Sequence, residues 1–202
     1  FSLYEQGDEV IQDYGLARFV NIEQKGGGNY LPENTTWAKQ TIAANTLVRD
    51  EMSHFEGKYE IGSQHHSELH FYDDANADIQ VVSAIEPNAY PGTVMRRTMA
   101  LVKKDGFEKP FVLDILKVSS EEQHQYDLPF YYLWQVMKAN FDYETFASLE
   151  PLGDKSGYQH LYLEGGGRAS SSTVQFSWLN NARFYTLTSA TGKDDKLLFT
   201  RL

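Results

Sequence analysis

An all-β fold, an antiparallel β-sandwich, is what this sequence predicts, on three observations. Short runs of alternating apolar and polar residues, rich in Val, Ile, Thr, Tyr and Phe, recur along the chain. Turn residues separate them at intervals typical of sandwich strands. No long stretch carries the 3.6-residue period of an amphipathic helix.

The strands follow in order. The first 22 residues read as strand and turn, opening on Phe1-Ser2-Leu3-Tyr4. Residues 67–72 and 77–85 alternate cleanly. Residues 93–102 lead through Lys104-Asp105-Gly106 into 110–118, and an Asp-Gly turn between two such runs signals a hairpin, because the tight turn needs a positive φ that glycine tolerates. Residues 159–163, 172–178, 183–188 and 196–202 complete the set. Helix signals are thin: residues 33–40 suggest a short turn around Pro32, and 130–140 read equally well as helix or aromatic strand. The clusters Gly26-Gly27-Gly28 and Gly165-Gly166-Gly167 mark loops. Neither follows a strand and opens a helix, so phosphate-cradling loops are not expected.

The 202 residues suit one domain over 1–202 with a real core. Both ends read as interrupted strands, so the chain is expected to be an excised piece of a larger protein. Zero cysteines exclude disulfides, thiol catalysis and zinc–thiolate sites. A net charge of −10 argues against a nucleic-acid partner, whose binders cluster positive charge. No apolar run approaches the roughly 20 residues of a membrane helix, so no membrane partner is expected. Aromatics at 14% favour sheets and carbohydrate-handling surfaces.

The histidines are His54, His65, His66, His70, His124 and His160. On a strand, His66 and His70 would stand about 13 Å apart, too far to share a metal. They read as strand-surface or half-buried groups. No nucleophile elbow, catalytic triad or carboxylate pair stands out. Asn34-Thr35-Thr36 has the form of a glycosylation acceptor, a triplet that also arises by chance.

The segment from Asp13 to Ile42 differs in kind. Asp13, Arg18, Lys25, Tyr30, Trp37 and Lys39 alternate cations, amides and aromatics along a glycine-supported stretch. A binding loop and a solvated connection plugged by Trp37 both fit that pattern.

Ile11-Gln12-Asp13-Tyr14-Gly15, Ala17-Arg18-Phe19, Asn21-Ile22-Glu23 and the run from Tyr30 to Asn45-Thr46 resemble the C-terminal part of heparinase II/III-like polysaccharide lyases, most closely the exolytic oligoalginate lyases. Ser53-His54-Phe55 and residues 126–132 extend the resemblance more loosely. It implies an N-terminal (α/α) toroid preceding this sandwich, with the substrate cleft between them. It also implies β-elimination at a 4-linked uronate, a periplasmic or secreted location, and a homodimer as one open arrangement.

By the same resemblance, Asp13 stands where a carboxylate ligates zinc, and Arg18 and Tyr30 where the uronate is contacted. A further zinc histidine belongs in Ala-His-Asn-Thr, where this sequence reads Ala43-Ala44-Asn45-Thr46. Ala44 supplies no lone pair, so zinc is expected to be weakened or lost. A His-x-His motif contributing the remaining ligand is expected before Phe1. The base and acid are expected in the N-terminal part, leaving no catalytic residue here and the isolated piece inactive. Two alternatives remain: a non-catalytic carbohydrate-binding or architectural sandwich that has lost its metal, and a lyase acting on heparan-like polymers.

Overall fold

The computed structural model describes residues 1–15, 31–193 and 195–202. The chain forms two compact units, one of residues 1–53 and 126–202, the other of residues 54–125. In the first unit, β1 (Leu3–Glu5) and β2 (Asp8–Ile11) pair antiparallel. Gln6 and Gly7 turn between them, both at positive φ (51° and 89°), the geometry whose twist matches a hairpin. A helical turn over Asn34–Ala38 and a 3₁₀ turn over Thr41–Ala43 precede the short β3 (Val48–Arg49).

The second unit is a four-stranded antiparallel sheet in the order β4 (Glu68–Asn76), β5 (Ile79–Tyr90), β6 (Thr93–Val102) and β7 (Phe111–Ser120). A 3₁₀ turn over His54–Gly57 and one helical turn, α1 (Tyr59–Gly62), lead into it. The first unit resumes with β8 (Tyr126–Asp127), β9 (Gln135–Ala139), β10 (Tyr143–Pro151), β11 (Tyr162–Arg168), β12 (Thr173–Asn180), β13 (Arg183–Ala190) and β14 (Lys196–Arg201). They assemble as antiparallel sheets β10-β11-β14 and β13-β12-β9, with β8 on β3. The all-β, antiparallel sandwich reading is borne out. No helix among the described residues is long and apolar enough to cross a membrane.

Two buried clusters among the described residues hold the first unit. Val10, Ile11 and Trp178 are buried with Phe130, Tyr132, Phe176 and Tyr185 packed against them. Trp37, Ile42, Ala43, Val48, Tyr158 and Leu161 form the other, edged by Tyr14 and Tyr131.

Several sequence expectations shift. Gly165-Gly166-Gly167 lies inside β11, not in a loop. A Cβ on Gly165 would meet the Glu144 carbonyl oxygen at 2.6 Å, and one on Gly167 the Asp142 oxygen at 2.3 Å, so glycine here permits a close backbone approach. Residues 158–160 make a 3₁₀ turn after Gly157, whose φ of 94° ends any extended run, and the strand starts only at Tyr162. Within the ambiguous 130–140 stretch, residues 135–139 form β9 and Tyr132 makes an isolated bridge to Ile11. The β6–β7 hairpin forms with Gly106 at φ 95°, yet its connection runs over residues 103–110 and is no two-residue turn. Asn34 is fully buried, so its amide has no room for a glycan.

Candidate functional site

A buried asparagine, Asn45, ties together the backbone next to Asp13 and next to Ala44. Strand β2 runs out at Ile11, which bridges to Tyr132, and the Gln12 N–H donates to the Tyr131 carbonyl at 3.0 Å. Asn45, 1% exposed, closes this corner: its Nδ2 donates to the Gln12 carbonyl at 2.6 Å and the Phe1 carbonyl at 3.0 Å. Its Oδ1 accepts the Tyr131 N–H at 2.7 Å. A short polar side chain thus serves three part-buried backbone groups at once. Asp13 and Ala44 are therefore the chain neighbours of the two ends of one hydrogen bond.

Asp13 keeps 41% of its side chain exposed, with Oδ2 3.4 Å from the Phe1 nitrogen. Ala44 sits in extended backbone just past the 3₁₀ turn and is half-buried. It offers a methyl group. Among the described residues no group of three His, Cys, Asp or Glu side chains is placed to hold a metal ion. This donor set, one carboxylate and a methyl, does not fit zinc.

The next residue, Tyr14, turns into an aromatic wall. Its ring meets Trp37 edge-on at 5.3 Å and Tyr131 at 5.5 Å, and Trp37 lies 6.1 Å from His160. The Tyr131 hydroxyl donates to the Ile42 carbonyl at 2.6 Å. Burial raises the phenol of Tyr131 well above its ordinary value, with a smaller push from Tyr14. Burial alone raises Tyr14, and burial followed by the charges of Glu164 and Tyr143 raises Tyr132. All three stay neutral at physiological pH, suited to donating or stacking and poorly suited to taking a proton.

The expected uronate contacts, Arg18 and Tyr30, lie outside the described residues, as do Lys25 and Gly26-Gly27-Gly28. Of the stretch treated as one long loop, the later half is core: Leu31, Trp37, Ile42 and Ala43 are buried, so Trp37 is the plug that one of the two readings supposed. Lys39 is exposed at the end of the helical turn. The histidines hold structural posts. His54 packs edge-on to Tyr90 at 5.0 Å, His65 stacks on Phe55, and His70 Nδ1 is 3.3 Å from Ser83 Oγ. His160 Nε2 is 3.0 Å from Thr36 Oγ1.

Sequence reasoning missed the organising role of Asn45 and the wall of Tyr14 and Tyr131. An asparagine that bonds backbone carries no periodic signal, and only its place beside Ala44 in the recognised run marked it.

Comparison with known proteins gives this corner its context. The chain is 44% identical over 184 residues to an alginate lyase of Stenotrophomonas maltophilia, a match covering 91% of this chain and 25% of that protein. It is 41% identical over 205 residues to an exo-oligoalginate lyase of Saccharophagus degradans, covering 99% of this chain and 28% of that one. The chain thus spans about a quarter of the length of these relatives. The heparinase II/III-like, C-terminal family matches residues 1–194. On that extent of match the chain belongs to the heparinase II/III-like C-terminal family.

Proposed function

We propose that this chain is the β-sheet portion of a polysaccharide lyase that cleaves 4-linked uronate oligosaccharides, alginate-like ones, by β-elimination. The observation that carries the reading is the level of identity to two alginate-degrading lyases across nearly the whole chain. An N-terminal toroid of the same parent protein is the partner that completes the cleft, and the setting is periplasmic or secreted.

In such an elimination the uronate carboxylate is neutralised, the C5 proton leaves to a base, the C4–C5 double bond forms, and the C4–O bond breaks as an acid protonates the departing oxygen. Arg18 is suited to the first task, because its planar fork pairs with a carboxylate through two parallel hydrogen bonds. Tyr30 orients the ring by stacking or by its hydroxyl. The base and acid belong to the toroid side. The raised phenols of Tyr14, Tyr131 and Tyr132 agree with that division, since none is poised to accept a proton. The Asn45 clamp holds the backbone at Gln12, one residue before Asp13.

Zinc has no step in this scheme. Where the family places a histidine ligand, Ala44 presents a methyl, and Asp13 alone does not hold the ion. That same residue favours the second reading, a sandwich that binds sugar or braces a fold without catalysis. The two readings separate in one assay: the full-length protein, given alginate oligomers, releases unsaturated products absorbing in the ultraviolet under the first and none under the second. Parallel reactions on heparin oligomers test the heparan-like alternative.

A further inference from the structure

Two bases of the second unit face each other without an acid between them. Arg96 of β6 and Lys117 of β7 are directly opposite in register, so their side chains share one face of the sheet. Like charges in that position repel. In a chain with 28 acids against 18 bases, such a pair has acids in plenty to draw on. It draws on none: among the described residues, neither Arg96 nor Lys117 makes an ion pair or a side-chain hydrogen bond. The acid in the same row, Glu68 of β4, stands beyond Ile85, two strand spacings or about 10 Å from Arg96. The adjacent Arg97, on the opposite face, shows the alternative: its Nε and Nη2 grip Asp114 Oδ1 and Oδ2 at 2.9 and 2.5 Å.

The two bases edge a cavity. Residues two apart along a strand point to the same side, so Val94 and Ser119, themselves opposite in register, continue the face from Arg96 and Lys117. With Ile85 of β5, these four line a cavity of about 140 Å³. Val94 and Ser119 also line a neighbouring cavity of about 260 Å³, whose other walls include Pro87, Ser120 and Glu121. There the Ser120 hydroxyl is engaged within the protein, donating to the Gly92 carbonyl at 3.3 Å with Thr93 Oγ1 at 3.1 Å. The Ser119 hydroxyl has no such partner among the described residues.

The first cavity thus offers a guanidinium, an ammonium and a hydroxyl, all donors, beside the methyl groups of Ile85 and Val94. That donor set fits an oxyanion. The apolar lining, continued into the larger cavity, suits an oxyanion carried on a carbon skeleton. A carboxylate is planar, which matches the guanidinium fork, and singly charged, which limits repulsion from a chain of net charge −10.

We propose that Arg96, Lys117 and Ser119 bind a carboxylate whose carbon skeleton lies on Ile85 and Val94. The carboxylate comes from a sugar acid in solution or from an acidic side chain of the longer parent protein, and the donors it meets are the same. The proposal uses no residue of the Asp13–Tyr30 segment, and its test is independent of the reaction assigned above.

Carbodiimide coupling on the full-length protein tests it. A carboxylate held here is within reach of the Lys117 amine and is joined to it as an amide, the carbodiimide taking up the water lost and leaving as a urea. The reaction is run with glucuronate, with glucose as the neutral control, and with neither, and the product at Lys117 is read by peptide mass spectrometry. A glucuronate amide identifies the sugar acid as the source; an amide to an acidic residue outside residues 1–202 identifies the parent protein. In either case Arg96→Gln, which keeps the amine, lowers the yield at Lys117 by about tenfold, and Ser119→Ala lowers it by about fivefold. Coupling at the exposed Lys104 stays unchanged. Circular dichroism confirms folding, and should Arg96→Gln fail to fold, Ser119→Ala carries the comparison. Three results overturn the proposal. An amide from Lys117 to an acid within residues 1–202, such as Glu68 or Glu121, means the chain supplies its own partner. No amide at Lys117 under any condition means no carboxylate is held there. A yield unchanged in either folded variant, or lowered equally at Lys104, means the coupling does not depend on the site.

Discussion

Asn45 Nδ2 donates to the Gln12 carbonyl across 2.6 Å, a bond between the chain neighbours of Ala44 and Asp13. The same side chain receives Tyr131, so one residue ties the end of β2, the turn after Trp37 and the aromatic wall into a single corner. Removing it tests how much of the first unit depends on that corner.

Asn45→Ala removes the side-chain partner of two carbonyls and one N–H that are part-buried. Each such group costs about 1–3 kcal/mol, so a loss of about 3 kcal/mol or more is expected. Urea denaturation measures it. A shift under about 1 kcal/mol would show that the corner holds without its clamp.

The β12–β13 turn carries a second, milder test. Asn181 and Ala182 both adopt left-handed backbone, φ 46° and 64°, where glycine is the usual second residue. Alanine there costs about 1 kcal/mol. Ala182→Gly is expected to raise the thermal midpoint, since relief of that strain outweighs the added flexibility of the unfolded chain. An unchanged or lower midpoint contradicts this.

Tyr131 sets an alkaline limit on stability. Its folded pKa is raised above the value near 10 of an unfolded tyrosine, chiefly by burial. The contribution is fully present below that unfolded value and is lost as pH rises beyond it. Urea midpoints measured from about pH 9 to about pH 11 should fall, and Tyr131→Phe should flatten the fall while costing about 1 kcal/mol at neutral pH through the lost bond to Ile42. Parallel pH curves for the two proteins would refute this.

Under the proposed reading, Ala44→His supplies the donor that the resemblance implies at residue 44. In the full-length protein it is expected to raise bound zinc, read by metal analysis, and the melting temperature with it. No gain in zinc would show that Asp13 and residue 44 do not face one site.

Much of the fold was legible because strand alternation is a local signal. The runs at 93–102 and 183–188 became β6 and β13 with little change. Gly165-Gly166-Gly167 was misread because glycine's usual meaning is conformational freedom, whereas here its missing Cβ admits the β10 backbone. Trp37 could not be settled from pattern, since an aromatic amid polar residues fits a ligand platform or a core plug equally well. Asn45 and Tyr131 meet across 86 residues, a pairing no local period encodes. Asp13 and Ala44 entered through family resemblance alone, while Arg18 and Tyr30 lie outside the described residues.

The central claim is that the Asp13–Tyr30 segment grips a uronate for elimination. Steady-state kinetics of the full-length protein on alginate oligomers, wild type against Arg18→Ala, bear on it most directly. Turnover to unsaturated product with kcat/KM lowered by about 100-fold or more in the variant is the predicted outcome, the size of a lost bidentate carboxylate contact. Equal kcat/KM in the two proteins would contradict the role given to Arg18, and no unsaturated product from any uronate oligomer would contradict the lyase reading itself.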